Sequence, residues 1–94
     1  MQLTDKLTTS DDVVAREVAG ETVLLNLTSG TYFGLDEIGG KIWQWLEQGE
    51  CRTLADVCDR LVSEYEVSRE TAEEDMLALA GDLAEHGLLE PEPA

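Results

Sequence analysis

Hydrophobic and polar positions change their period once along this chain. Residues 1–10 are polar and carry no period, which reads as a mobile lead-in. Val13 to Val18 is rich in β-branched residues. Val23, Leu25 and Leu27 then alternate with Thr22, Leu24 and Asn26, the period of a strand. Gly20-Glu21 and Ser29-Gly30 are turn signals on either side of this run. Thr31-Tyr32-Phe33 offers a third short strand, with two aromatics and a β-branched residue. The first third of the chain therefore predicts a three-stranded antiparallel meander.

From Asp36 the spacing becomes helical. Asp36 is a candidate N-cap for a helix that puts Ile38, Ile42, Trp45 and Leu46 on one face, with Trp43 beside it. Gly39 and Gly40 lower helix propensity by about 1 kcal/mol each, so either close packing against another backbone or a weak first turn is expected there. Thr53 and Asp56 resemble a capping box, and Leu54, Val57, Cys58, Leu61, Val62 and Tyr65 follow at amphipathic spacing. Ser68 opens a third helix whose buried stripe is Ala72, Met76, Leu79, Ala80 and Leu83. Gly87 after His86 is a stop signal, and Leu88-Leu89 can fold back on the core. The order β-β-β-α-α-α predicts an α+β domain over residues 11–90, followed by a fraying tail, 91–94, that holds Pro91 and Pro93.

Composition narrows the function. The chain has 94 residues, with 6 Lys+Arg against 21 Asp+Glu and a net charge of −15. Lys6, Arg16, Lys41, Arg52, Arg60 and Arg69 are scattered and form no basic helix, which argues against nucleic acid and against an anionic membrane surface. No apolar run has the ~20 residues of a membrane span. The start of the chain lacks the pattern of a signal peptide. A cytoplasmic setting is the expectation.

Catalytic signals are weak. The single histidine, His86, sits in the last helical turn, where a dipole-favoured surface role is expected. Cys58 falls on a buried helix face, and Cys51 in a polar loop reads as a solvent-facing thiol. No phosphate loop, metal-ligand spacing or EF-hand loop occurs, so no cofactor and no metal are expected. None of the serines is followed by Leu, which removes an acyl-carrier reading. The informative element is the third strand. It ends the meander and carries aromatics, and no Lys or Pro blunts it between Thr31 and Leu35. Either Tyr32 and Phe33 fill the core under a covered edge, or the open edge accepts an extended peptide as an added strand.

The segment V-L-L-N-L-T-S-G-T-Y-F-G-L-D-E-I-G-G-K-I-W-Q-W-L, Val23 to Leu46, resembles the PqqD-like family. The motif D-M-x-x-L-A-x-x-L-x-x-x-G-L-L, Asp75 to Leu89, is similar to that family's third helix and exit. The likeness covers roughly residues 11–90. It implies a winged helix-turn-helix-like fold and a non-catalytic recognition element for ribosomally made precursor peptides. In such proteins the leader region adds a strand beside the third strand, in a cleft walled by the third helix. Carried onto this chain, the implied strand positions are Thr31, Tyr32, Phe33 and Gly34, and the wall is Asp75, Met76 and Leu79. Val23 and Leu25 would line the floor. Leu79 stands where the family often has an aromatic. The segment Leu35 to Gly39 looks more like the discrete proteins of lasso peptide pathways, which imply a separate transglutaminase-like cysteine protease as partner. The alternative is the branch that serves a radical enzyme in cofactor synthesis. An accessory subunit whose edge strand is capped within an assembly is the reading outside this family.

Overall fold

The computed structural model describes residues 1–92. Its elements are β1 (Lys6–Thr9), β2 (Val13–Val18), β3 (Glu21–Asn26), β4 (Tyr32–Leu35), α1 (Glu37–Glu47), α2 (Leu54–Glu64), α3 (Arg69–Glu85) and β5 (Leu89–Glu92). The expected meander is β2-β3-β4, antiparallel throughout, and the three helices follow it. The α+β, winged helix-turn-helix-like expectation holds. Ala19 and Gly20 both have positive φ (52° and 84°), so the β2–β3 hairpin turns on Ala19-Gly20, one residue before the expected pair.

The ends of the chain depart from expectation. Residues 6–9 are not a free lead-in: β1 pairs antiparallel with β5, Leu7 opposite Pro91 and Lys6 opposite Glu92. Leu7 N–H donates to Arg52 O at 2.8 Å, on the far side from β5, and the Leu7 side chain is buried. Ser10 N–H donates to Leu88 O, which makes Leu7–Pro91 a pair without ladder hydrogen bonds. The missing N–H of Pro91 is therefore not needed, and a residue expected to fray sits in an edge strand instead. Pro93 and Ala94 of the expected tail lie outside the described residues. A single apolar residue between polar neighbours carries almost no periodic signal, so Leu7 was illegible.

The core is one cluster, with Trp43, Leu24, Leu54, Leu83, Leu88, Leu89, Val57 and Cys58 fully enclosed. Gly40 explains itself: a Cβ there would collide with Thr22 Oγ1, so α1 lies directly on β3. Asp36 caps α1 by accepting from Gly39 N–H at 2.7 Å. Thr53 and Asp56 form the expected capping box, and Ser68 caps α3. Two residues assigned to buried faces are open: Val62 is exposed, and Ile38 is 43% exposed. Cys51, expected to face solvent, is 2% exposed. Its N–H donates to Trp45 O at 3.0 Å, which folds the loop under the chain, and the Arg60 guanidinium lies 4.6 Å from the Trp45 ring centroid.

Leu7→Ala is expected to cost ~2–5 kcal/mol of folding stability, as other buried Leu truncations do, with the leader of the chain released from β5. Denaturant unfolding checks this; a loss under 0.5 kcal/mol, about the scale of surface substitutions, would mean the β1–β5 pairing contributes little.

Candidate functional site

Register decides what β4 presents. Asn26 N–H donates to Thr31 O at 2.9 Å, and the β3–β4 pairs continue as Leu24–Phe33 and Thr22–Leu35. In an antiparallel ladder every second residue bonds to one neighbour. Phe33 and Leu35 thus direct their backbone groups to β3, while Tyr32 and Gly34 direct theirs outward. No strand pairs with that outer edge among the described residues. Thr31 lies before the strand and its carbonyl is already engaged by Asn26, so it contributes little to the edge.

Side chains follow the same alternation on the two faces. Phe33 and Leu35 point toward the helices. Tyr32, 70% exposed, stands opposite Leu25 on the outer face, as Gly34 stands opposite Val23. The residues that pack inward on β3 are Thr22 against α1, Leu24, fully buried, and Asn26. Val23 and Leu25, expected on the cleft floor, therefore belong to the face of the sheet turned away from the helices. The alternation was legible, but its phase was not, because Val23, Leu24 and Leu25 are all apolar.

Beside the edge of β4 lies a cleft of about 620 Å³, within the ~300–1,000 Å³ range of ligand sites. Phe33, Gly34 and Leu35 form one wall, and Ala72, Asp75, Met76 and Leu79 of α3 form the other. Of the residues carried over from the family likeness, the structure brings Phe33, Gly34, Asp75, Met76 and Leu79 together here. It leaves Val23, Leu25, Thr31 and Tyr32 outside the lining. The floor comes from residues the sequence reading did not assign: Ile42 from α1, Leu61 and Tyr65 from the end of α2, and Val67. Ile38 also lines the cleft, which is why an apolar residue in the first turn of α1 is left uncovered. Helical spacing marked Ile38, Ile42, Leu61 and Tyr65 as apolar-face positions but could not distinguish a core from an open cleft, and Val67, between α2 and α3, carried no such signal.

The cleft is apolar with acid at its rim. Asp75 is exposed and makes no side-chain hydrogen bond or ion pair among the described residues. Asp36 lines the cleft as well, with Oδ1 engaged by the α1 cap. Of the nearby cations, two arginines are committed to carboxylates and a lysine lies over a ring of the cleft floor. Arg69 bridges Glu73 at 2.8 Å and also Asp59; Arg60 bridges Glu50 and Glu64. Lys41 Nζ sits 5.9 Å from the ring centroid of Tyr65. No group of three or more His, Cys, Asp or Glu side chains is placed to hold a metal ion among the described residues. None of their helices is long and apolar enough to cross a membrane.

The family model described as Coenzyme PQQ synthesis protein D (PqqD) matches residues 21–89. The chain belongs to the PqqD family. Two solved structures are similar to it over nearly their whole length. One is described as "TbiB1 in Complex with the TbiA(beta) Leader Peptide": 42% identity, TM-score 0.79, covering 88% of this chain and 94% of that one. The other is "Lasso peptide synthetase B1 complexed with the leader peptide": 35% identity, TM-score 0.79, covering 92% of this chain and 99% of that one. A comparison with curated proteins finds no match. The PqqD match begins at the start of β3 and ends at the start of β5, so it spans both walls of the cleft and leaves out β1 and β2.

Neither thiol of this PqqD-family chain reaches the cleft. Burial raises both Cys51 and Cys58 above the ordinary thiol range, so both are neutral at pH 7. Their contribution to stability is complete below the unfolded thiol value, ~8.5, and is lost as pH rises through the higher folded values. Both cysteines are expected to react with a thiol reagent at pH 8 only at the rate of global or local opening; rapid modification of either under native conditions would show the burial to be wrong.

Proposed function

We propose that this protein is a non-catalytic adaptor that binds the leader region of a ribosomally synthesised precursor peptide. The leader adds as a strand to β4, hydrogen-bonding to the outward N–H and C=O groups of Tyr32 and Gly34. The observation that carries this reading is the unpaired edge of β4 beside an apolar cleft, in a chain 42% and 35% identical to proteins whose structures hold a leader peptide. Backbone bonds hold the strand, and alternate side chains of the leader enter between Phe33 and the α3 wall of Met76 and Leu79. Asp75 offers a carboxylate to a polar or basic group of the leader. The bound leader is then delivered to a separate processing enzyme, a leader-cleaving protease of the lasso peptide type. The likeness to the lasso peptide structures favours this over service to a radical enzyme in cofactor synthesis.

Titration with the TbiA(beta) leader peptide, or with a leader encoded beside this protein, tests the site. Phe33→Arg and Leu79→Arg are each expected to weaken binding by roughly five- to 150-fold, since a good buried anchor is worth ~1–3 kcal/mol. Retained affinity in both variants, with the fold intact by circular dichroism, would move the site elsewhere. Because the exposed carboxylates at the rim face solvent, a leader with basic residues is expected to lose affinity from low to physiological salt while a neutral one does not. Isothermal titration at two ionic strengths reads this difference.

A further inference from the structure

The two walls of the cleft come from parts of the fold that pack on different neighbours. The sheet lies on α1, and α3 lies on α2. Something must fix their separation. Among the described residues, one side-chain hydrogen bond joins the three-stranded sheet to the end of α3: Asn26 Nδ2 to His86 O at 3.3 Å.

The surroundings are built for that bond. Asn26 is the one buried polar residue among the described residues, 7% exposed. Its Oδ1 accepts from Thr28 N–H at 3.0 Å and Ser29 N–H at 3.3 Å, so one end of the amide shapes the β3–β4 turn. The other end reaches α3. Helix α3 stops in a Schellman motif: Gly87 N–H bonds to Ala84 O, and Leu88 N–H bonds to Leu83 O. That pattern uses the carbonyls of Leu83 and Ala84 and leaves His86 O free to accept. Gly87 has φ 71°, and a Cβ on it would lie 3.1 Å from Asn26 Nδ2, so glycine both ends the helix and makes room for the amide. Next to the bond, the Phe33 ring stands edge-on to the His86 ring with centroids 5.2 Å apart. His86 is held in turn, with Nδ1 2.7 Å from Asp82 O. Phe33 is itself a wall of the cleft.

We infer that Asn26 is a positioning residue for the peptide site: its amide clamps the β3–β4 turn to the exit of α3 and so sets the width of the cleft. Leader binding through this clamp rests on the function proposed above; the width of the cleft does not. Asn26→Asp separates the two ends of the amide. The carboxylate keeps both acceptor bonds in the turn, loses the donor to His86 O and places like charge against that carbonyl.

Cleft width is read without peptide by the distance between nitroxides at Thr31→Cys and Ala78→Cys, both exposed positions, with Cys51 and Cys58 buried. One narrow distance is expected for the parent and a broadened or longer one for Asn26→Asp. Affinity for the TbiA(beta) leader peptide is expected to fall about five- to tenfold, the scale of one lost hydrogen bond. Leu7→Ala, remote from the cleft, serves as the control for stability alone: it is expected to lower the melting temperature while leaving width and affinity unchanged. Asn26→Ser, too short to reach His86, gives the same reading if Asn26→Asp does not fold. An unchanged nitroxide distance in the Asn26 variants overturns the inference, as does an equal loss of affinity in Leu7→Ala. A parent protein that shows the single narrow distance yet binds no leader peptide would overturn the proposed function and leave the clamp standing.

Discussion

Backbone hydrogen bonding at β4 is the constraint on which the site depends. A strand of four residues satisfies half of its polar groups against β3 and leaves the other half facing outward. Buried unpaired peptide groups are costly, so the outer half must face water or an added chain. A helix laid directly over the edge would bury those groups without partners. Helix α3 instead stands off from β4, and the gap between them is the cleft. The same alternation sends Phe33 and Leu35 into the fold and Tyr32 out of it. One ladder therefore fixes both which backbone groups of β4 stay unpaired and which of its side chains line the cleft.

The helices hold that gap open because each rests on something else. Gly40 lets α1 touch β3 at Thr22, which brings Ile38 and Ile42 under the edge of the sheet. Leu61, Tyr65 and Val67 pass beneath as α2 gives way to α3. Met76 is almost wholly buried while Leu79 and Asp75 stand progressively closer to solvent. The wall thus grades from core to rim along one helical face. The depth of the cleft is apolar and its charge stands at the mouth, where water and salt weaken it.

Much of this fold was legible in the chain itself. The change of period at Asp36, the Thr53–Asp56 capping box and the Gly87 stop each name a local conformation that the structure adopts. The pairing of β1 with β5 was not legible, because it joins residues eighty or more apart through a stretch with one buried side chain. The site was half legible. Phe33, Gly34, Asp75, Met76 and Leu79 meet at the cleft, as the family likeness implied. Val23 and Leu25 were misplaced because three apolar residues in a row hide the phase of a strand. Ile38 failed for a related reason: apolar spacing tells which residues avoid water and not which neighbour, or which absent chain, covers them. Cys51 failed because its polar neighbours in the loop give no sign of the turn that folds it under Trp45.

The β1–β5 pair brings the two ends of the domain side by side. Lys6 stands opposite Glu92, about 5.5 Å away across the ladder, so chain enters and leaves at one point. Neither strand lines the cleft. The architecture is therefore that of a plug-in module, which could be spliced into a loop of a larger polypeptide without stretching the host or obstructing the groove.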